Sequence, residues 1–148
     1  MKKQIAEKII VYTDGGSRGN PGSAALGVVI EGVGKQIKEY AEFLGEMTNN
    51  EAEYHAIIFA LKKLRQLIGR EKLTKTEVEI RSDSELVARQ LRGEYKVEEK
   101  NLQPLFMKVW NLKFDFPKLI FKEVSREENQ RADKLVNAVL DKESNKLF

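Results

Sequence analysis

The sequence predicts an α/β fold: a mixed sheet with an antiparallel hairpin at one side and helices on its faces. Three observations support this prediction. Strand-like apolar segments fill the first third of the chain, and two of them flank a glycine-containing turn. Amphipathic segments with the helical period then alternate with two further strand-like segments. The resulting order, β-β-β-α-β-α-α-β-α, is typical of a sheet layered with helices.

The first three strands are predicted from β-branched residues and turn signals. Residues 9–12, Ile-Ile-Val-Tyr, form a strand that ends in a turn at Thr13–Gly16. The segments Ala24–Ile30 and Gln36–Leu44 lie on either side of Gly32–Gly34, which predicts a hairpin. The apolar residues of the second segment would also suit a helix, but the hairpin context favours a strand.

The middle of the chain is predicted as a helix, a strand and a short helix. From Thr48 the apolar residues mark one face of a helix of about five turns, and Thr48 with Glu51 forms a capping box at its start. Residues 77–81 are a strand with Val78 and Ile80 on one face. A short helix follows from about Ser84 to Leu91.

The last third contains a helix, a strand and a final helix. The first of these helices runs from about Leu102 to Leu112, and Pro117 ends that segment. Residues 119–121, Leu-Ile-Phe, open the last strand. Ser125 and Glu128 form a second capping box before the final amphipathic helix.

Composition narrows the possible chemistry. The 148 residues contain no Cys and a single His, which excludes a disulfide framework, a thiolate zinc site and a thiol nucleophile. A Ser-His-Asp triad could use only His55, and a metal site must rely mainly on oxygen ligands. The net charge of +3 is a weak indication of a polyanionic partner.

The chain is expected to form one domain over residues 1–148, with a core of about 8–141 and short tails at both ends. The basic N-terminus lacks the apolar region of a signal peptide, and no apolar run approaches the ~18 residues of a membrane span. We therefore expect a cytoplasmic protein with no membrane partner.

Two acidic residues stand at predicted strand ends. Asp14 closes the first strand and Asp83 the fourth, and in open α/β sheets ligands gather beyond the carboxyl ends of the strands. Position alone supports equally well that both are turn or N-cap residues.

Glu53 is the strongest indication of a site. It lies within the apolar stripe of the long helix, between positions that must face the sheet, where a buried carboxylate costs several kcal/mol unless it is paired or bound to a cation. The alternative is a glutamate that looks out past the sheet edge or pairs with an arginine. Asp133 lies at the flank of the last helix's apolar stripe.

Convergence of these four acids would raise their pKa values, and a divalent cation would keep them ionised. Oxygen ligands without His or Cys favour Mg²⁺ or Mn²⁺ over Zn²⁺ and suit phosphoryl chemistry. The residues therefore indicate a metal-dependent phosphodiesterase.

Four motifs resemble the ribonuclease H type 1 family. The resemblance covers nearly the whole chain and implies a ribonuclease H-like fold with a five-stranded mixed sheet, the first three strands antiparallel and the others added in parallel, and helices on both faces. The motifs are 13–22 (Thr-Asp-Gly-Gly-Ser-Arg-Gly-Asn-Pro-Gly), 48–54 (Thr-Asn-Asn-Glu-Ala-Glu-Tyr), 82–84 (Ser-Asp-Ser) and 126–133 (Arg-Glu-Glu-Asn-Gln-Arg-Ala-Asp).

The resemblance implies a metal-dependent endoribonuclease that hydrolyses the RNA strand of RNA/DNA hybrids and leaves 5′-phosphate and 3′-hydroxyl ends. Two Mg²⁺ ions, replaceable by Mn²⁺, would be held by Asp14, Glu53, Asp83 and Asp133. Substrate contacts implied in the same way are Gly15, Gly16, Asn20, Thr48, Asn49, Asn50 and Ser84. Thr48 would contact a DNA phosphate, although its capping role explains it equally well.

The sequence departs from many family members in two places. The loop before the last acid contains no His, and Arg126 is a candidate substitute, or else a surface arginine. The segment formed by residues 92–100 is too short for the extra helix and basic protrusion that often grip DNA in bacterial and vertebrate enzymes. The lack of this protrusion resembles the archaeal-like type of the family.

The expected partner is a hybrid duplex, with no obligate protein partner and a monomeric state. Two alternatives remain open. The chain could be a nucleic-acid-binding module that does not cut, or a nuclease that also acts on double-stranded RNA.

Overall fold

The computed structural model describes residues 7–146, which form one five-stranded sheet with the strand order β3-β2-β1-β4-β5. β1 pairs antiparallel with β2, and β2 antiparallel with β3, whereas β4 and β5 are added in parallel to β1. The predicted mixed sheet is confirmed, and so is the hairpin that favoured a strand over a helix for the third segment. The strands are β1 (Glu7–Gly19), β2 (Gly22–Glu31), β3 (Lys38–Met47), β4 (Thr76–Ser82) and β5 (Leu119–Glu123).

Helices cover both faces of the sheet, as predicted. The longest, α1, packs its apolar stripe on one face together with α3 and α4. On the other face α5 packs against β2, where Val136 and Leu140 contact Ala25. The helices are α1 (Asn49–Ile68), α2 (Arg70–Leu73), α3 (Glu85–Leu91), α4 (Gln103–Leu112) and α5 (Gln130–Asn145).

The main core forms because the periodicities of α1 and the strands match. Ile57, Leu61 and Leu64 are buried on one side of α1, at the spacing that returns to the same helix face. They meet buried strand residues such as Val11 and Ile80, which alternate with less buried positions. This packing fixes α1 over the centre of the sheet and thereby places its N-terminus.

The predicted turn at Thr13–Gly16 is wrong, because β1 continues to Gly19. Pairing with β2 extends from Ile10 opposite Glu31 to Gly19 opposite Gly22, and this continuous ladder outweighs the turn propensity of the Asp-Gly-Gly sequence. The reversal occurs at residues 19–22 instead, where Gly19 has a φ of +99°, a conformation that favours glycine.

The start of the last helix also differs from the prediction. Ser125 Oγ accepts the backbone N–H of Glu128 at 3.2 Å, so the expected pair exists, but it closes a turn. Asn129 has φ −102° and ψ 15°, outside the usual helical values, and α5 begins only at Gln130. The side chain of Asn129 donates a hydrogen bond to the Thr13 carbonyl of β1 at 2.9 Å. We attribute the later start of α5 to this contact.

Across residues 7–146, none of the helices combines the length and the apolar character that crossing a membrane requires. The segment between α3 and α4 contains turns but no helix, as the sequence predicted. The short α2 and a single 3₁₀ turn at Lys113–Asp115 had no counterpart in the prediction.

Candidate active site

Asp14 and Asp83 meet because β4 ends where β1 continues. Thr13 pairs with Ser82 in the last position of the β1–β4 ladder, so Asp14 is the first β1 residue beyond the end of β4. Asp83 directly follows β4. It is not a helix cap, because Ser84 takes that role by accepting the backbone N–H of Val87 at 3.2 Å. Both acids therefore lie at the place in the sheet where β4 ends and β1 continues without it.

Glu53 reaches the same gap because α1 lies directly on β1. A Cβ atom at Gly15 would overlap the Ala52 carbonyl and the backbone N of Glu53, so only glycine permits this approach. Glu53 lies in the second turn of α1 and is only 6% exposed. Its carboxylate accepts the hydroxyl of Ser82 at 3.4 Å. It neither points past the sheet edge nor pairs with an arginine.

The carboxylates form a compact cluster at the wall of a crevice of about 510 Å³. One oxygen from each of Asp14, Glu53 and Asp83 lies within 4.8 Å of the others. Asp133 in the first turn of α5 is not part of this compact set, but it lines the same crevice. The structure thus brings all four predicted acids to one place.

The cluster strongly disfavours negative charge while no cation is bound. Burial and then the Asp83 carboxylate raise the pKa of Asp14 from 3.8 to about 7, with a further contribution from Asp133. Burial also raises the pKa of Glu53 well above its usual range, and Asp14 and Asp83 raise it further. The like charges and the loss of water act in the same direction.

Asp83 is the least perturbed member of the compact set. Burial raises its pKa, but the Arg126 guanidinium and the nearby Asn129 side chain oppose that increase. Arg126 and Arg18 both line the crevice, and Arg18 is paired with Asp141 at 2.6 Å.

The donor set suits a hard divalent cation. Three carboxylate oxygens can converge on one point, where burial and mutual repulsion raise the pKa values of Asp14 and Glu53. A divalent cation would supply positive charge and favour the ionised forms. Such sites usually retain water molecules, and the crevice is open enough to admit them.

Most of the other predicted contact residues surround the cluster. Asn20 and Thr48 do not line the crevice, although both support the start of α1. Asn20 accepts the backbone N–H of Asn49 at 3.0 Å, and Thr48 forms the predicted capping box with Glu51. The predicted residues that line the crevice are Gly15, Gly16, Asn49, Asn50, Ser84 and Arg126.

Ser17, Ser82 and Asn129 were missed by the sequence analysis. Ser17 donates its backbone N–H to Asn49 Oδ1 at 2.9 Å, which joins β1 to the first turn of α1. Ser82 is 2% exposed and follows Val78 and Ile80 at the two-residue spacing of a strand. Its position on the face that α1 covers could therefore have been inferred from the sequence. Asn129 carried no comparable signal, because its contacts depend on the packing of α5.

The chain is similar in sequence to known proteins over most of its length. A family model described as reverse transcriptase-like matches residues 12–139. The ribonuclease HI of Halobacterium salinarum is 37% identical over 135 residues, which make up 90% of this chain and 65% of that protein. A bifunctional protein of Mycobacterium tuberculosis is 35% identical over 136 residues, which make up 90% of this chain and 36% of that protein.

A solved structure also resembles this fold. LC11-RNase H1, isolated from compost by a metagenomic approach, in complex with an RNA/DNA hybrid, is 48% identical with a TM-score of 0.83 and covers 90% of this chain and 97% of that chain. The chain spans less than two thirds of the length of the halobacterial and mycobacterial relatives.

Proposed function

Because the chain belongs to the type 1 ribonuclease H family, we propose that it hydrolyses the RNA strand of RNA/DNA hybrids and leaves 5′-phosphate and 3′-hydroxyl ends. One observation carries the proposal. Asp14, Glu53 and Asp83 present oxygens within 4.8 Å of one another in a crevice that is open to solvent. A protein 48% identical to this chain has been solved in complex with a hybrid, which supports the choice of substrate.

The acids would act by holding divalent cations against the scissile phosphate. When bound, a pair of Mg²⁺ ions, or Mn²⁺ in their place, would activate a water and stabilise charge on the leaving oxygen. Asp14, Glu53 and Asp83 would hold the ions, because their oxygens lie within 4.8 Å of one another. Asp133, which lines the same crevice from the first turn of α5, would complete the set.

Residues around the start of α1 would position the duplex. Ser17, Asn20 and Asn49 form a hydrogen-bonded chain in which both asparagines use their amide oxygens. Those bonds do not consume the amide NH₂ groups, which can donate to the minor-groove acceptors and 2′-hydroxyls that mark an RNA strand. Asn50, Gly16 and Ser84 line the adjoining wall.

Arg126 would assist at the reacting phosphate. It is a positively charged side chain in the crevice lining, and it lowers the pKa of Asp83. A guanidinium here can neutralise part of the phosphate charge and favours the ionised form of Asp83. We assign Arg126 the place that a histidine occupies in many relatives.

The proposal is tested by matched Asp-to-Asn substitutions. Asp14→Asn and Asp83→Asn remove one acid each with little change in volume, and we expect each to reduce hybrid cleavage in Mg²⁺ by more than ~100-fold. Asp115→Asn is the control, because Asp115 pairs with Arg65 at 2.9 Å away from the crevice. Undiminished cleavage by Asp14→Asn or Asp83→Asn would refute the assignment.

A second assay separates the remaining functions. Labelled RNA/DNA, RNA/RNA and DNA/DNA duplexes are incubated with the unmodified chain, with Mg²⁺ or with EDTA. We expect metal-dependent cleavage of the RNA strand of the hybrid only. Binding without cleavage in Mg²⁺ and in Mn²⁺ would indicate a silent binding module, and cleavage of RNA/RNA would extend the substrate range.

We also propose that the chain acts as a monomer, since the four acids that the proposed chemistry uses are all supplied by one chain. Size-exclusion chromatography with light scattering, at the concentration used in the cleavage assay, should give a mass near 17.0 kDa.

A further inference from the structure

Asn129 connects the elements that carry the acids. Its side-chain NH₂ donates to the Thr13 carbonyl at 2.9 Å, immediately before Asp14 in β1. Its backbone carbonyl accepts the N–H of Asp133 at 3.1 Å, at the start of α5. Asn129 is completely buried, so neither bond competes with bulk water.

The same side chain reaches a third acid. The Asn129 side chain lies close enough to the Asp83 carboxylate to lower the pKa of that group. Asn129 therefore bonds to the backbone next to Asp14 and to the backbone of Asp133, and its side chain lies near the Asp83 carboxylate. These acids come from β1, from the end of β4 and from α5, and Asn129 lies where the three meet.

The amide oxygen of Asn129 is buried and has no hydrogen-bond partner within residues 7–146. A buried acceptor without a donor costs about 1–3 kcal/mol, so such atoms are uncommon unless a ligand satisfies them. Gln90 shows the ordinary case in the same chain. It is also buried, but its Oε1 accepts the Tyr54 hydroxyl at 2.7 Å and its Nε2 donates to the Lys96 carbonyl at 3.2 Å.

We propose that Asn129 is a positioning residue that sets the spacing of Asp14, Asp83 and Asp133 for divalent-cation binding. Its amide oxygen has no donor within residues 7–146, so it can accept a hydrogen bond when cation binding rearranges the cluster. The inference rests on the proposed function, since it assigns Asn129 a role at the same cation site. Groups that orient metal-binding side chains typically change metal affinity by 10–100-fold when they are removed.

The test measures cation binding without nucleic acid. Mn²⁺ and Mg²⁺ are titrated calorimetrically into the unmodified chain, Asn129→Ala and Gln90→Ala. We expect Asn129→Ala to weaken cation binding by 10–100-fold. Gln90→Ala removes an equally buried amide outside the crevice, so we expect a lower Tm with cation affinity unchanged within about twofold. In cleavage assays, a higher Mg²⁺ concentration should restore the kcat of Asn129→Ala, with the KM for hybrid unchanged.

Each outcome has a defined meaning. If the unmodified chain neither binds Mn²⁺ nor cleaves hybrid, the proposed function fails. If it does both and Asn129→Ala binds Mn²⁺ equally well, only the positioning role of Asn129 is overturned. If Asn129→Ala does not fold, Asn129→Ser is titrated instead. Its shorter side chain cannot span the same contacts, so unchanged Mn²⁺ affinity in that variant overturns the inference.

Discussion

Asp14 is held beside two other carboxylates and away from water, so its charge opposes folding when no cation is present. We expect Asp14→Asn to raise the Tm of the protein in EDTA at pH 8, where Asp14 is ionised, because it removes one of the mutually repelling charges while keeping the side-chain shape. One kcal/mol corresponds to about 2–4 °C for a chain of this size.

Thermal unfolding in EDTA tests this expectation, with Asp115→Asn as the control. Asp115 is paired with Arg65 and Arg70, so its substitution should leave the Tm unchanged or lower it. A Tm of Asp14→Asn below that of the unmodified chain in EDTA would show that the cluster is already neutralised by protons.

Gly15 and Gly16 are neighbours with opposite tolerance to a methyl group. A Cβ at Gly15 would overlap the backbone of Ala52, whereas a Cβ at Gly16 would lie 3.5 Å from Val136 Cγ1, an ordinary contact. We expect Gly15→Ala to lower the free energy of unfolding by at least ~1–3 kcal/mol, because α1 must move away from β1. The same displacement would separate Glu53 from Asp14 and reduce cleavage.

Chemical denaturation of the two variants provides the comparison. Gly16→Ala should unfold at nearly the same denaturant concentration as the unmodified chain. Equal stability of Gly15→Ala and Gly16→Ala would mean that the contact between α1 and β1 adjusts at no cost, and the assigned role of Gly15 would be wrong.

Among the secondary-structure elements, α1 follows a residue with two assigned roles: Thr48 is a helix cap and a candidate substrate contact. Thr48 caps the helix through the reciprocal bonds with Glu51, and family resemblance assigns it a contact with a DNA phosphate. Thr48→Ala removes the cap and should cost about 1 kcal/mol of stability. Thr48→Asp keeps a good capping residue but introduces a negative charge, which would repel a phosphate.

We therefore expect Thr48→Asp to have a Tm no lower than that of Thr48→Ala, because the gain of a capping oxygen is offset by repulsion from Glu51, and to raise the KM for hybrid several-fold. Steady-state cleavage over a range of hybrid concentrations, together with thermal unfolding, separates the two roles. A Thr48→Asp variant with an unchanged KM would assign Thr48 to capping alone.

The secondary structure was predictable wherever local preference and tertiary packing agree. The helical period from Thr48 and the capping box located α1, and the hairpin context correctly selected a strand for β3. Prediction failed at residues 13–16, because a turn-forming sequence is held straight by pairing with β2. It failed again at the start of α5, where a long-range bond to β1 decides the conformation of Asn129.

For the molecule as a whole, the four acids could be predicted from the sequence, but the residues that position them could not. Glu53 could be identified from the sequence because a carboxylate on the apolar face of a helix is costly unless it is paired or bound to a cation. Asn129 gave no such signal, since its bond to Thr13 joins residues 116 positions apart. The approach of Ala52 to Gly15 likewise depends on how a helix sits on a sheet, which periodicity alone does not specify.

The cluster also makes the stability of the whole chain depend on pH and on metal. Asp14 has a pKa of about 7 in the folded protein against 3.8 when exposed, and the pKa of Glu53 is raised in the same direction. Between these pH values the folded state binds more protons than the unfolded state. Stability in EDTA must therefore fall as pH rises from about 4 to about 7. Glu79, Glu51 and His55 act oppositely, because the pKa of each is lowered in the folded protein. The effect of the two glutamates ends near pH 4.5 and that of His55 near pH 6.5, so the cluster carboxylates have to outweigh one histidine inside this window.

A divalent cation should reverse this dependence, because it binds the ionised cluster of the folded state and stabilises it by mass action. We expect thermal unfolding in EDTA to give a lower Tm at pH 8 than at pH 5, and saturating Mg²⁺ to raise the Tm at pH 8 much more than at pH 5. Asp14→Asn removes a titrating member of the cluster, so it should flatten the pH dependence in EDTA and reduce the response to Mg²⁺. A Tm in EDTA that rises steadily from pH 5 to pH 8, with no difference between the unmodified chain and Asp14→Asn, would show that these carboxylates are already compensated in the free protein.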